Sequence, residues 1–172
     1  MDNTDNRYNH PDKISLILDI KAGIATEFSI HLIDPLKLDR DYDIYLESFT
    51  TFRCKSSNNK SNIGFIIYFD QWNIKTMSNN SFLNQGLFIP NEQSKLPPAE
   101  KFGPPEGKIH NGKVLNYITT VQPEDITNIS GKITLLDGIS TIFDTVPQSD
   151  PPDDPPNSED GRCIIELLFV AK

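Results

Sequence analysis

The sequence predicts an all-β domain built as a sandwich of eight strands in two antiparallel sheets. Short segments alternate apolar and polar residues at the period of two that strands require, and no long stretch has the 3.6-residue period of a helix. Thirteen prolines and nine glycines interrupt the chain at short intervals, while alanine, the strongest helix former, is scarce. Eight such strands joined by long connections indicate a single jelly roll, the eight-stranded version of the sandwich.

The first three strands are predicted from clean alternation, which gives each of them one apolar face and one polar face. They cover residues 14–20, 28–32 and 42–52. We expect the second to end at Asp34-Pro35, because proline cannot donate to a strand ladder and restricts the residue before it.

Two further segments, residues 63–69 and 162–170, are apolar on both faces and therefore predicted as buried strands. Both faces of the later strand, residues 162–170, need apolar contacts. The core of the sandwich supplies them on one face, and a neighbouring subunit is a candidate for the other.

The remaining strands are predicted from shorter signals at residues 86–90, 113–121 and 126–136. Residues 122–125 read as a turn between the last two of these. Gly131 interrupts the final run, which predicts a bulge or a kink in that strand.

The chain, of 172 residues and 19.4 kDa, suits a single domain. Residues 1–12 are predicted as a short polar N-terminal arm and residues 13–172 as the jelly-roll domain. Within the domain, residues 91–112 and 147–161 are expected to form irregular loops, because proline and polar residues dominate both.

Charge and composition exclude several functions. A net charge of -8 argues against binding nucleic acid or an anionic membrane, both of which require basic patches. No apolar run approaches the ~20 residues needed to cross a bilayer, and the polar start does not resemble a signal peptide. The two cysteines, Cys54 and Cys163, are too few for a disulfide framework and fit a reducing compartment.

Two motifs resemble ligand loops but miss the residues on which the chemistry depends. Residues 107–114 have the phosphate-loop spacing, yet Val114 replaces the hydroxyl that would hold Mg²⁺ and a strand follows in place of a helix. Residues 39–43 resemble the opening of a calcium loop, but Ile44 and Thr50 stand at its glycine and bidentate glutamate positions. Both are predicted to be ordinary turns.

Histidine and cysteine chemistry is also not indicated. The three histidines, His10, His31 and His110, lack metal-ligand spacing, and His31 lies on the polar face of its strand. Cys163 is followed by two isoleucines, which favours a packed structural thiol over a reactive one.

Two surface sites remain as minor alternatives. Glu27, Glu47 and Glu166 lie on strands, where two carboxylates facing across a cleft would allow glycoside hydrolysis. Trp72 and Asn73, with the aromatic residues before them, would make a sugar platform if exposed, although core packing is the favoured interpretation. We predict no catalytic, cofactor-binding or metal site and no enzyme activity.

Five segments together resemble one protein family. A strand that ends in a proline-hydrophobic-x-leucine step is followed by a tyrosine-x-isoleucine-x-leucine strand, and later segments match in order. They lie at residues 28–38, 42–49, 61–63, 129–134 and 164–170. In this order they resemble the single jelly-roll capsid proteins of nucleocytoplasmic large DNA viruses, virophages and Polinton-like elements.

This resemblance implies a viral structural protein. It implies a capsid penton, assembled as a homopentamer at the icosahedral fivefold vertices and contacting trimers of the major capsid protein, and possible contacts with other minor capsid proteins. It further implies residence in the virion capsid after synthesis and assembly in the host cytoplasm, without nucleic-acid binding or membrane insertion. The alternatives are a minor or cement capsid protein and a lectin-like or fibre-head binding module.

Overall fold

The computed structural model describes residues 12–21, 27–52, 64–74, 78–79, 81–90, 107–111, 116–140 and 162–172. Nine strands and one 3-10 helix lie in these stretches. In chain order they are β1 (Lys13–Ile20), β2 (Glu27–Leu38), β3 (Tyr42–Phe52), β4 (Gly64–Phe69), η1 (Ser81–Gln85), β5 (Leu87–Pro90), β6 (Gly107–Asn111), β7 (Tyr117–Val121), β8 (Glu124–Leu135) and β9 (Arg162–Ala171). The predicted arm and the 147–161 loop lie outside the described residues, apart from Asp12.

The strands form two antiparallel sheets. Sheet A has the order β1-β9-β3, and both β6 and β7 pair with the far edge of β3, one after the other. Sheet B has the order β2-β8-β4-β5. Since β6 and β7 share one row, the nine strands occupy eight rows, as the sequence predicts.

The pairing is that of a jelly roll. If the chain is folded in half between β4 and β5, the partners meet in order: β4 with β5, β3 with β6 and β7, β2 with β8, and β1 with β9. Contacts between β3 and β9 and between β4 and β8 then roll this long ribbon into two sheets. The predicted fold class is confirmed.

The core lies between the sheets and receives alternate side chains from both. An aromatic chain crosses it, because Trp72 packs 4.9 Å from Phe69 of sheet B and 6.2 Å from Phe169 of sheet A, measured between ring centroids. Phe28 continues the chain with an edge contact to Phe69. The predicted core faces of β1, β2 and β3 all point into this layer.

β2 does not end at Asp34-Pro35, contrary to the prediction, but continues to Leu38. The register with β8 shifts between His31 and Leu36, so the proline sits in a bulge where the ladder is already interrupted. β2 is also an edge strand, and a proline there costs no ladder hydrogen bond. The strand therefore tolerates a residue that would end a central strand.

The predicted bulge at Gly131 is wrong, because β8 pairs without interruption through this residue with both Phe28 and Phe69. The residues predicted as a turn, 122–125, include the first two residues of β8. A Cβ on Gly131 would lie 2.0 Å from the Tyr68 carbonyl oxygen and 2.9 Å from the Phe28 ring. Glycine is required by close packing, and the register on both sides of β8 runs through it without a shift.

The third row of sheet A also differs from expectation. Residues 107–111, expected in the irregular 91–112 loop, form β6 against β3. Alternation over residues 113–121 places Leu115, Tyr117 and Val121 on one face, yet Tyr117 is exposed and Val121 is buried. A register shift between Ile44 and Tyr45 of β3 reverses the alternation at this point.

The outer face of β4 is covered by η1, an element that the alternation pattern does not predict. Ile66 points away from the core but is fully buried. The Tyr68 hydroxyl donates to the Phe82 carbonyl oxygen over 2.7 Å, and Gly86 lies directly over Ile66. This cover explains why β4 is apolar on both faces.

Candidate functional site

Neither loop motif forms a ligand site within its described residues, and residues 112–114 of the phosphate-loop spacing lie outside them. Residues 107–111 of the phosphate-loop spacing are extended as β6. In the calcium-like segment, Asp39 accepts hydrogen bonds from Arg40 and from the Tyr42 hydroxyl. Asp43 has different partners, because it accepts a hydrogen bond from the Thr120 hydroxyl and forms an ion pair with Lys172. Among the described residues no three metal-ligating side chains come together.

Three candidate side chains have the structural rather than functional environments that the sequence predicts. Cys163 is fully buried in the core, as expected of a packed structural thiol. Trp72 is only 5% exposed, so it cannot stack on a sugar ring as a platform. His31 is exposed on the edge strand β2.

The three candidate carboxylates do not face one another across a cleft. Glu27 lies on sheet B, whereas Glu47 and Glu166 lie on sheet A. Glu166 accepts hydrogen bonds from the hydroxyls of Ser15 and Ser48, at 3.2 and 3.1 Å. The acid pair that glycoside hydrolysis needs is not assembled from these residues.

The outer face of sheet A, here called face A, presents apolar side chains from four strands. Its apolar members are Ile17 on β1, Ile164, Leu168 and Val170 on β9, Tyr45 on β3 and Tyr117 on β7. Ile17 is 62% exposed and Tyr117 45% exposed. The two tyrosines meet edge to face, with ring centroids 5.8 Å apart.

Glu166 lies in the middle of face A. Ile164 and Leu168 flank it along β9, and Ile17 and Ser48 stand opposite it on the neighbouring strands. Its described partners are the two serine hydroxyls, which hold the carboxylate in place but do not neutralise its charge. A charged group is thus fixed at the centre of an apolar surface.

An ion pair lies at each end of face A. At one end Arg162 binds Asp19 with two hydrogen bonds, one of them 2.7 Å long, and this contact lowers the pKa of Asp19. At the other end Lys172 lies 3.0 Å from Asp43. Burial alone raises the pKa of Asp43, but hydrogen bonds from Thr120 and Lys172 outweigh it and lower the pKa.

The outer side of sheet B carries a second patch, here called face B and defined by Tyr68, Phe82, Phe88 and Lys132. Phe82 is 44% exposed and Phe88 40% exposed. The Lys132 ammonium lies 4.4 Å from the centroid of the Tyr68 ring, within cation–π range. This patch combines aromatic surface with one positive charge.

A cleft of about 310 Å³ lies at one end of the sandwich, between the residues after β4 and the corner joining β7 to β8. Trp72 forms part of its wall, and Asn73, Gln122 and Glu124 line its rim as exposed side chains. The amide of Gln71, which also lines it, is bonded to the Ser130 backbone. The cleft offers hydrogen bonds to a polar ligand and contains one ionisable side chain, so it does not provide an acid–base pair.

Comparisons of the chain with protein families, with curated proteins and with solved structures found no match. The fold assignment therefore rests on the strand pairing itself. In the described part of the chain, no helix is long and apolar enough to cross a membrane.

The sequence predicts the inward positions of these strands well, and the two apolar faces of residues 162–170 indicate the β9 part of face A, but face B is missed. Glu166 is visible in the sequence as the single charge within the apolar run 164–170. Its hydroxyl partners Ser15 and Ser48 come from β1 and β3, which only the strand register brings together.

Proposed function

We propose that this chain is a non-catalytic structural subunit of a viral capsid, a penton that assembles as a homopentamer at the fivefold vertices. The observation that carries the proposal is the jelly-roll strand order, with β1-β9-β3-β6/β7 packed on β2-β8-β4-β5. Jelly rolls of this kind build many viral capsids. Four of the five segments that resemble capsid proteins fall on β2, β3, β8 and β9, and the fifth, residues 61–63, lies outside the described residues.

Face A supports the proposal from a second direction. The outer side of β9 presents Ile164 on one side of Glu166 and Leu168 and Val170 on the other, and no described element covers them. Exposed apolar patches of this kind often mark interaction sites. A capsid subunit uses such a surface against its neighbours.

In this proposal the partners are other copies of the chain and trimers of a major capsid protein, and other minor capsid proteins are further candidates. The subunit resides in the virion capsid and is made in the host cytoplasm. The net charge of -8 makes contact with the packaged nucleic acid unfavourable. The two alternatives are a minor capsid protein, which need not form a ring, and a sugar-binding module that uses the cleft beside Asn73.

The test is the mass of the purified protein in solution, measured by mass photometry and light scattering across concentration and salt. A discrete particle of five copies of the 19.4 kDa chain, about 97 kDa, is expected. A particle of one copy at every concentration contradicts the homopentamer and favours the minor capsid protein.

A glycan array separates the third possibility. Retention of a saccharide that is lost in Asn73→Ala and Gln122→Ala, with assembly unchanged, favours the sugar-binding module. These two side chains stand on opposite sides of the cleft and are exposed, so their loss is not expected to unfold the protein.

A further inference from the structure

The described residues carry two exposed apolar patches on opposite sides of the sandwich. Face A lies on the outside of sheet A and face B on the outside of sheet B. A contact about a twofold axis joins a patch to itself, whereas a head-to-tail contact joins two different patches of the same chain. When every copy makes the same head-to-tail contact with the next, face A and face B of each copy are both covered.

The charges distinguish between these two arrangements. Glu166 is a carboxylate at the centre of face A, and its described partners are hydroxyls. If face A bound face A, two such carboxylates would approach each other near the axis and repel. Face B instead carries the Lys132 ammonium, whose described contact is the uncharged Tyr68 ring.

We propose that face A of one copy of this chain binds face B of a second copy, with Glu166 of the first against Lys132 of the second. This inference rests on the proposed homopentamer and identifies the surfaces that would join its subunits. Apolar side chains surround this ion pair on both copies. Face A contributes Ile17, Ile164 and Leu168, and face B contributes Phe82 and Phe88. Apolar contact then excludes water from the pair, and the opposite charges set which faces meet.

The outer side of sheet A sets the scale of such a contact. Four rows of strands spaced about 4.8 Å apart, each about 27 Å long, give a flat area on the order of 500 Å². Side-chain relief adds to this area, and a standard interface buries roughly 800 Å² on each partner. Face A is therefore of the same order as one side of a standard interface.

Charge reversal tests the contact directly. In Glu166→Lys and in Lys132→Glu the two faces carry like charges, and we expect the concentration at half-assembly to rise by about tenfold or more. In the double variant Glu166→Lys/Lys132→Glu the attraction is restored with the signs exchanged, and assembly is expected to return. Mass photometry across concentration measures all four proteins.

Two matched controls change the same charges elsewhere. Lys37→Glu lies near the end of β2 and Glu124→Lys at the start of β8, both exposed and outside the two faces. Both should assemble like the unmodified protein. Thermal melting by circular dichroism checks that each variant is folded. If Glu166→Lys does not fold, Glu166→Gln replaces it, because the glutamine keeps an acceptor for the serine hydroxyls.

The mixture of the two single variants gives a second readout. Face A of Glu166→Lys attracts only face B of Lys132→Glu, and the reverse pairing is also attractive, so the two proteins must alternate. Alternating species contain equal numbers of each and cannot close a ring of five. We therefore expect assembly on mixing, without the five-copy particle.

The response to charge and the number of copies answer different questions. Single variants that assemble normally, or a folded double variant that does not recover, overturn the proposed contact even if five-copy particles form. Recovery in the double variant with particles of another size, or with open filaments, supports the contact and contradicts the homopentamer. An unmodified protein that stays monomeric overturns both.

Discussion

Gly131 lies where two strands and an aromatic ring approach too closely for any side chain. A Cβ there would meet the backbone of Tyr68, which cannot move without breaking the β4–β8 ladder. Trp72 illustrates the opposite case, a large side chain that fills the space between Phe69 and Phe169. The space available therefore fixes the residue type at both positions: there is no room for a side chain at Gly131, and the core needs a large one at Trp72.

Gly131→Ala is expected to destabilise the protein by about 1–3 kcal/mol, because the added methyl group forces the backbone of β8 away from β4. Thr127→Ala is the control, since Thr127 is exposed on the same strand. Urea unfolding followed by circular dichroism measures both. Equal stability of the two variants would mean that β8 and β4 separate easily at this point.

Trp72→Ala is expected to cost about 3–5 kcal/mol, since it empties the centre of the aromatic chain. Ile33→Ala, at a fully exposed position, should change stability by about 0.5 kcal/mol or less. The same urea titration compares the two variants. A small effect of Trp72→Ala would place the tryptophan at the surface and revive the sugar-platform interpretation.

At the scale of elements, alternation predicts β3 with its observed bounds, but the buried positions change from even to odd numbers where the register with β9 shifts, between Leu46 and Ser48. It fails wherever a neighbouring strand changes the pattern. The bulge that lets β2 pass Pro35 depends on the edge position of β2, and the burial of Ile66 depends on η1. Face A, similarly, becomes a surface only when the register aligns β1, β9, β3 and β7.

The Asp19–Arg162 pair links β1 to β9, and its contribution should depend on pH. Because the pKa of Asp19 is lowered from its ordinary 3.8, the pair stabilises the fold above pH 3.8, and this is lost as pH falls through the lowered value. Asp19→Asn should therefore be less stable than the unmodified protein at pH 7, by about 1 kcal/mol or less for a partly exposed pair.

The comparison is made by urea unfolding at pH 7 and pH 2.5, where the difference between the two proteins should shrink. It should also shrink in 1 M NaCl, where the Debye length is about 3 Å. A difference that is unchanged at low pH would show that the substitution disturbs packing and that the ion pair has no role.

For the whole molecule, the sequence predicts the number of strand rows and the jelly-roll class, but not the register that aligns neighbouring strands. β1 and β9 pair across the length of the domain, with Ile20 opposite Cys163. No local pattern encodes a contact between such distant segments, which forms because the two sheets bury one core. That the protein has no catalytic site remains a prediction, and so does its assembly.

Removal of residues 162–172 is expected to abolish folding. β9 lies between β1 and β3 and contributes Cys163, Ile165, Leu167 and Phe169 to the core. Without it, sheet A loses its connecting strand and Trp72 loses a packing partner. A chain that lacks Lys172 alone is the control and should melt cooperatively. Cooperative unfolding of the shorter chain, followed by Trp72 fluorescence, would contradict the expectation.

The position of β9 also has a consequence for synthesis on the ribosome. Sheet B can pair fully once Leu135 has been made, but sheet A waits for residues 162–171 to bridge β1 and β3. At a typical rate of about 5–20 residues per second, this segment follows β8 by roughly 2–7 s. During that time the apolar side of sheet B has no complete partner, so a ribosome that stalls there displays a nascent chain prone to aggregation and to capture by chaperones.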